Sequence, residues 1–161
     1  MRNHLILFNL LLVSACTPMH STDPDSMAFS LAEGSILSLN KRLVITQDQA
    51  HGTIQAGKQI TDNNRNDYMI NCRLDFKKLG PRFIEPENFI VTRTEDGSDW
   101  ISYLGSLRFY TEVYLSSDSG TDIISMECQE YGDATDRNFT VAEMQSALGD
   151  YITFRYGSEN H

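Results

Sequence analysis

Cysteines are the residues whose type and spacing say most about the chemistry of this chain. There are three of them, at positions 16, 72 and 128. Their positions do not form the Cys-x-x-Cys spacing of thiol–disulfide oxidoreductases, which disfavours a redox-active pair. The chemistry left for these thiols is covalent modification or a structural disulfide.

Cys16 ends a segment with the features of an export signal. Arg2 provides a short positive region, and residues 5–13 are apolar except for Asn9. This length suits a signal peptide and is too short to cross a bilayer. The four residues Val13-Ser14-Ala15-Cys16 resemble the lipobox of bacterial lipoproteins.

The resemblance to lipoproteins implies that the chain is cut before Cys16 and that the cysteine carries two or three acyl chains, enough for stable membrane anchoring. Thr17 follows the cysteine, which in a host with two membranes implies transfer to the outer membrane and a periplasmic or surface location. The alternative is an ordinary secretory signal with a chance cysteine. We expect a signal peptide over 1–15 and a lipidated cysteine with a flexible, Pro- and Ser-containing tether over 16–34.

Cys72 and Cys128 are then left as an even pair in an oxidising compartment. Each lies in a segment with alternating apolar and polar residues, residues 68–76 and 123–128. Such alternation predicts half-buried strands with both cysteines pointing into the core. We expect a Cys72–Cys128 disulfide, with two reduced, buried thiols as the alternative.

Strand-like segments recur along the chain, separated by turn signals. Residues 107–115 alternate best, with Leu107 and Phe109 on one face and Tyr110 and Tyr114 on the other. Residues 95–99 carry Asp-Gly and predict a tight turn between strands at 89–94 and 100–104. Strands at this spacing predict a mainly β domain over 35–157, an antiparallel sandwich or a small barrel, followed by a tail at 158–161.

One helix is predicted near the C-terminus. Thr140 and Glu143 form a capping box, and Phe139 and Met144 are placed to form a hydrophobic staple across it. Gly149 suits the end of the helix. The body loosely resembles the small β-rich domains of bacterial lipoproteins, a resemblance that implies no particular activity.

Residues suited to acid–base or metal chemistry show no catalytic pattern. Beyond the signal segment the histidines are His20, His51 and His161, with no His-x-x-x-His pair. Acidic residues cluster in turns without the spacing of a calcium loop. Glu85 and Glu87 are too common an arrangement of surface charge to indicate glycoside chemistry. We therefore expect no cofactor, no metal and no enzyme activity.

Four aromatic residues are the remaining candidates for binding. Trp100, Tyr103, Tyr110 and Tyr114 fall on or just before the polar face of the 107–115 strand. Exposed aromatics on a sheet are a frequent contact surface for proteins or glycans. The competing interpretation is a second packed layer, either the other side of a sandwich or the underside of the helix.

The net charge of the chain limits the classes of partner that it is expected to bind. Thirteen Lys and Arg against 22 Asp and Glu give a net charge of −9 over 161 residues. This balance disfavours nucleic-acid binding, which needs clustered basic residues. We expect a lipid-anchored, non-enzymatic module of the cell envelope, bound to the membrane through Cys16 and to an envelope protein. The alternatives are an inhibitor of a basic envelope-degrading enzyme such as lysozyme, and an enzyme whose site is not visible in the sequence.

Overall fold

A computed structural model describes residues 21–101 and 105–157. Ten strands and one α-helix are found in them. In chain order they are β1 Ile36–Leu39, β2 Leu43–Ile45, β3 His51–Gln55, β4 Lys58–Ile60, β5 Asn71–Phe76, β6 Arg82–Ile84, β7 Glu87–Trp100, β8 Ser106–Ser117, β9 Ile123–Asp133, α1 Val141–Leu148 and β10 Ile152–Arg155. A short 3₁₀ turn, Asp62–Asn64, follows β4. The described helix is not long and apolar enough to span a membrane.

Eight of the strands form one antiparallel sheet in the order β10-β1-β7-β8-β9-β5-β3-β4, which curls into a half-barrel. Strands β2 and β6 form a separate two-stranded sheet. The prediction of a mainly β antiparallel fold with one C-terminal helix and one disulfide is confirmed. The long β7–β8–β9 meander forms the middle of the sheet and extends past its neighbours toward residues 100 and 106.

The core fills the concave side of the sheet. Alternate residues of the central strands point inward, so that Cys72, Leu74, Val113 and Met126 are fully buried. Helix α1 covers this side with its buried residues Val141, Met144 and Leu148. The capping box of Thr140 and Glu143 is also present. The predicted disulfide joins Cys72 of β5 to Cys128 of β9, which lie directly opposite each other in neighbouring strands.

Residues 95–99 are a strand rather than the predicted turn. They continue β7 in pairing with β8 up to Trp100, and Gly97 lies opposite Tyr110. The Asp-Gly signal was misleading because a glycine within a strand can also accommodate a large side chain from the next strand. The pairing of β7 with β8 continues as far as Trp100 and Leu107.

Two further boundaries differ from the predictions. The strand expected from Tyr68 begins at Asn71, and Tyr68 itself is 70% exposed. The described part of the predicted tether also packs on the domain. Leu31 is buried, Phe29 contacts the ring of Tyr156, and the Gly34 amide donates to the Val91 carbonyl oxygen. The globular part therefore begins before residue 35, because this segment carries apolar side chains that the core can bury.

Candidate functional site

Two predicted site residues, Cys16 and Tyr103, lie outside the described residues. The other predicted contact residues lie on the β7–β8 hairpin, with Trp100 at its described end and Tyr110 and Tyr114 further along β8. Tyr110 and Tyr114 lie on the convex, polar side of the sheet. The Arg108 guanidinium stacks 4.6 Å from the Tyr110 ring centroid, and that of Arg93 lies 4.1 Å from the ring of Tyr114. No layer of described residues covers them, so the interpretation as a second packed layer is not supported.

Trp100 lies on the opposite side of the sheet from the two tyrosines. It pairs with Leu107 across the hairpin, and directly paired residues point to the same face. Leu107 shares that face with Phe109, whose side chain enters the core. Trp100 is nevertheless 69% exposed, because the core ends before the tip of the hairpin. The structure therefore places Trp100 on one face of the sheet and Tyr110 and Tyr114 on the other, and the role of these residues in binding stays a prediction.

The outer edge of β7 near Trp100 is unpaired among the described residues. Strand β1 pairs with β7 only as far as Ile90, and the chain before β1 leaves this edge at Thr94. The Ile101 amide donates to the Ser106 carbonyl oxygen, so odd-numbered residues here direct their peptide groups toward β8. The peptide groups of Asp96, Ser98 and Trp100 alternate with them and point away from the sheet. We call residues 96–100 the free edge.

Other strand edges of the molecule are closed by glutamine side chains. The Gln145 amide donates to the Ile152 carbonyl oxygen and accepts from the Phe154 amide along the outer edge of β10. The Gln59 side chain binds both peptide groups of Val44 in β2 in the same way. An unpaired edge invites association with another strand, and proteins commonly block it. The free edge has no such cap among the described residues.

A cleft of about 360 Å³ opens on the same side of the sheet as Trp100. We call it the acidic cleft. It is lined by Tyr68, Phe109, Glu130, Tyr131, Gly132, Asp136, Arg137 and Glu143. It is close to the free edge, since Ser98 pairs with Phe109 and Phe109 pairs with Glu130 in one row across β7, β8 and β9.

Three carboxylates and one guanidinium set the charge of the acidic cleft. Arg137 binds both oxygens of Glu143, at 2.7 and 2.9 Å. This pairing, together with the capping bond from the Thr140 amide, lowers the pKa of Glu143 to about 2. Burial raises the pKa of Glu130, and the nearby negative charges of Glu143 and Asp136 add to the effect. The cleft therefore has surplus negative charge.

Two carboxyl groups with oppositely shifted pKa values can act as an acid and a base. Here the oxygens of Glu143 are already engaged, since one accepts from Arg137 and the other from both Arg137 and the Thr140 amide. That carboxylate is built into the helix cap. The arrangement suits attraction of a cationic group better than catalysis.

A second pocket, of about 400 Å³, contains a histidine–aspartate pair. His51 Nε2 lies 2.9 Å from Asp62 Oδ2, and the Thr53 hydroxyl donates to the other oxygen of that carboxylate. Partial burial acts to raise the pKa of Asp62, but the bonds from His51 and Thr53 outweigh it. The pKa of Asp62 is therefore lowered. Ordinary contacts on β3 and the 3₁₀ turn explain the pair, which ties the turn to the sheet.

Within residues 21–101 and 105–157, no group of three or more His, Cys, Asp or Glu side chains is arranged to hold a metal ion. Several acidic residues outside the acidic cleft have partners in the protein. Glu85 pairs with Arg42, and Asp122 with Arg82. Glu87 accepts hydrogen bonds from three hydroxyl groups, including that of Ser117.

Comparison with known proteins gave no match. No protein-family model, no curated protein and no solved structure resembles the chain at a significant level.

Sequence reasoning missed both the free edge and the acidic cleft. The edge was hidden because Asp96 and Gly97 have the residue types of a turn. The cleft brings β9 and the start of α1 together, and spacing along the chain does not show such contacts. Surplus carboxylates near the Thr140 capping box were a weak signal that was available.

Proposed function

We propose that the chain is a lipid-anchored, non-enzymatic protein of the cell envelope that binds another envelope component. The anchoring part is supported by the apolar segment at residues 5–13 and by the lipobox-like residues ending at Cys16. Acyl chains on that cysteine would hold the domain at a membrane, which is the outer membrane if the host has one.

The binding part is supported by one observation, the free edge beside the exposed Trp100. Three outward peptide groups follow one another at alternate residues of β7, in a protein that closes two other edges with glutamine amides. Trp100 and Ile101 add exposed apolar surface where that edge ends. Exposed edges of this kind are used to recruit a strand of a partner, so the hairpin end is the surface that we assign to binding.

Photo-cross-linking in intact cells of the native host tests this assignment. A photoreactive phenylalanine analogue would replace Ser98 on the free edge, and in a matched control it would replace Lys58 on β4, the other end of the sheet. Both positions are exposed. We expect one reproducible adduct from position 98, absent from position 58 and lost when Cys16→Ser releases the protein from the membrane. Equal adducts from both positions, or none from position 98, would contradict the proposal.

Lipid attachment is tested separately by the mass of the N-terminal peptide from the purified protein. We expect Cys16 to be the first residue and to carry acyl chains. An unmodified Cys16 preceded by further residues would refute lipid anchoring. The cross-linking result alone would then decide the binding surface.

An inhibitor of a basic envelope-degrading enzyme such as lysozyme is the second candidate. The acidic cleft favours it, because Glu130, Asp136 and Glu143 face a single guanidinium beside the free edge. Electrostatic attraction would steer a basic enzyme to this side of the domain. The test is the rate of cell-wall lysis by lysozyme with the full chain in detergent, at low and high salt. Inhibition that weakens in Glu130→Gln would support this candidate, and an unchanged lysis rate at low salt would exclude it for lysozyme.

A further inference from the structure

We infer that the free edge takes an extended segment rich in lysine or arginine, which adds to β7 as a further strand of the sheet. This inference rests on the proposed function and names the chemistry of the partner. It is supported by the backbone geometry of the free edge, by the negative charge around that edge, and by the repulsion expected between two copies of this chain.

The backbone geometry fits one added strand. The outward peptide groups of Asp96, Ser98 and Trp100 repeat at every second residue, which is the spacing at which a neighbouring strand donates and accepts. At the other end of β7, β1 already uses this edge in the same way, through pairs from Ile36–Ile90 to Leu39–Glu87. A guest strand would continue the position of β1 along β7, beyond the point where the chain leaves the edge at Thr94.

The charge around the edge favours a basic guest. Residues 95–101 contain Glu95, Asp96 and Asp99 and no Lys or Arg, and two of these carboxylates have partners outside the segment, since Glu95 pairs with Arg93 and Asp99 with Arg108. On the core side of the sheet, the row through Ser98 and Phe109 leads to Glu130 in the acidic cleft. Opposite charges on neighbouring strands stabilise their pairing. Lysine or arginine on the core side of the guest would therefore lie beside Asp96, whose carboxylate accepts from the Thr111 hydroxyl and pairs with no described Lys or Arg.

Pairing between two copies of the free edge is disfavoured by the same charges. Only even-numbered residues direct their peptide groups outward here, so two copies centred on Ser98 would place Asp96 of each copy opposite Trp100 of the other. This pairing would join two chains of net charge −9, each with Glu95, Asp96 and Asp99 in this segment, and their like charges repel. A second copy of this chain is therefore a poorer occupant than a basic segment.

Trp100 provides a direct readout, because it is the single tryptophan of the chain and ends the free edge. The probe is a synthetic, terminally blocked peptide of nine residues in which lysine alternates with valine and threonine. We expect saturable binding to the full-length protein in detergent, with a shift of the tryptophan emission to shorter wavelength. A matched peptide with glutamate in place of lysine should bind at least tenfold more weakly.

Three controls separate strand pairing from plain attraction of charge. Ser98→Pro removes an outward amide and places a ring on the edge, whereas Ser98→Thr keeps the amide. Methylation of alternate amides in the lysine peptide removes its donors on one side without changing its charge. We expect Ser98→Pro and the methylated peptide each to weaken binding at least tenfold, and Ser98→Thr to leave it within about twofold. Should Ser98→Pro fail to fold, as judged by circular dichroism, the methylated peptide carries the test.

Equal binding of the methylated and unmethylated lysine peptides would overturn the inference in favour of nonspecific electrostatics. Equal binding of the glutamate peptide would overturn the charge argument. Concentration-dependent dimers in sedimentation, abolished by Ser98→Pro, would show instead that a second copy occupies the edge. If the peptides fail while the adduct at position 98 forms in cells, this inference is wrong and the proposed function stands.

Discussion

The ring of Tyr110 lies over the Cα of Gly97 on the neighbouring strand. A Cβ atom at position 97 would come within 2.5 Å of Tyr110 Cζ, so the two residues fit only because one has no side chain. Arg108 stacks on the same ring. A glycine in a strand is a weak point that a cross-strand aromatic can cover. This pair keeps the polypeptide extended at the place where the sequence suggests a turn.

A double-mutant cycle at these two positions measures that relationship. We expect Gly97→Ala to destabilise the protein by about 1 kcal/mol, because the ring must move away from its site. In the Tyr110→Ala background the same change should stabilise by roughly 0.5 kcal/mol, since alanine is favoured over glycine in a strand. The measurement is urea unfolding of the four proteins. Additive effects would show that the ring and the glycine are independent.

Gln145 caps the outer edge of β10, and its replacement should weaken the fold. The side chain occupies the Ile152 carbonyl oxygen and the Phe154 amide. Gln145→Met keeps the approximate shape and removes these bonds, so we expect a loss of about 1–3 kcal/mol. Ser146→Ala, one residue further along the exposed side of the helix, should cost less than about 0.5 kcal/mol. The free energies come from urea unfolding, and equal losses would contradict the edge-capping role.

Local patterns predicted much of this fold, since the best-alternating strand and the Thr140–Glu143 capping box depend on residues close in the chain. The Cys72–Cys128 disulfide followed from the faces of two strands, although their adjacency in the sheet was not predicted. The turn at Asp96–Gly97 was wrong because the deciding contact, with Tyr110, comes from another strand. Strand order is likewise set by long-range pairing that alternation does not encode.

The candidate site was less predictable than the fold. Residue type drew attention to Trp100, but the face on which it lies depends on the register of β7 against β8. The free edge is a property of where β1 stops, and the acidic cleft depends on how α1 is placed over β9. The free edge depends on a neighbouring strand that is absent, and the acidic cleft depends on segments that are distant in the chain. Neither produces a clear pattern in the local sequence.

The disulfide should contribute strongly to stability. Cys72 and Cys128 are separated by 56 residues and are fully buried. The chain-entropy model gives about 4 kcal/mol for a loop of this length. We expect the Cys72→Ala/Cys128→Ala variant to lose roughly that amount in urea unfolding, with the reduced wild type losing a similar amount. A loss below about 1 kcal/mol in both would show that the bond constrains the unfolded chain little.

Glu130 should destabilise the folded protein at neutral pH. Its pKa is raised in the acidic cleft, chiefly by burial. A carboxyl with a raised pKa in the folded state binds its proton more tightly there than in the unfolded chain. Stability is therefore gained as the pH falls and lost as it rises. We expect Glu130→Gln to raise the unfolding free energy at pH 7, with the gain shrinking toward pH 3. A gain that is constant over this range would show that charge is not the cause.

Glu143 has the opposite pH dependence, although it lines the same cleft. Arg137 and the Thr140 amide lower its pKa to about 2 from an ordinary value of 4.5. The carboxylate therefore stabilises the folded state fully above about pH 4.5, and this contribution is lost as the pH falls toward 2. Its side chain is 42% exposed, so solvent screening limits the size of the effect.

Glu143→Gln tests this contribution, because the amide can still accept from the helix cap but cannot pair with the Arg137 charge. We expect a loss of about 1 kcal/mol at pH 7, the usual size of a cap or helix-terminus charge effect. The difference from wild type should shrink as the pH falls below about 4.5 and be a small part of its pH 7 value near pH 2 in urea unfolding. Glu33→Gln, at an exposed position, is the control and should be close to neutral throughout. If Glu143→Gln costs as much at pH 2 as at pH 7, shape and not charge holds the cap, and the surplus charge of the acidic cleft would have to be assigned to Glu130 and Asp136.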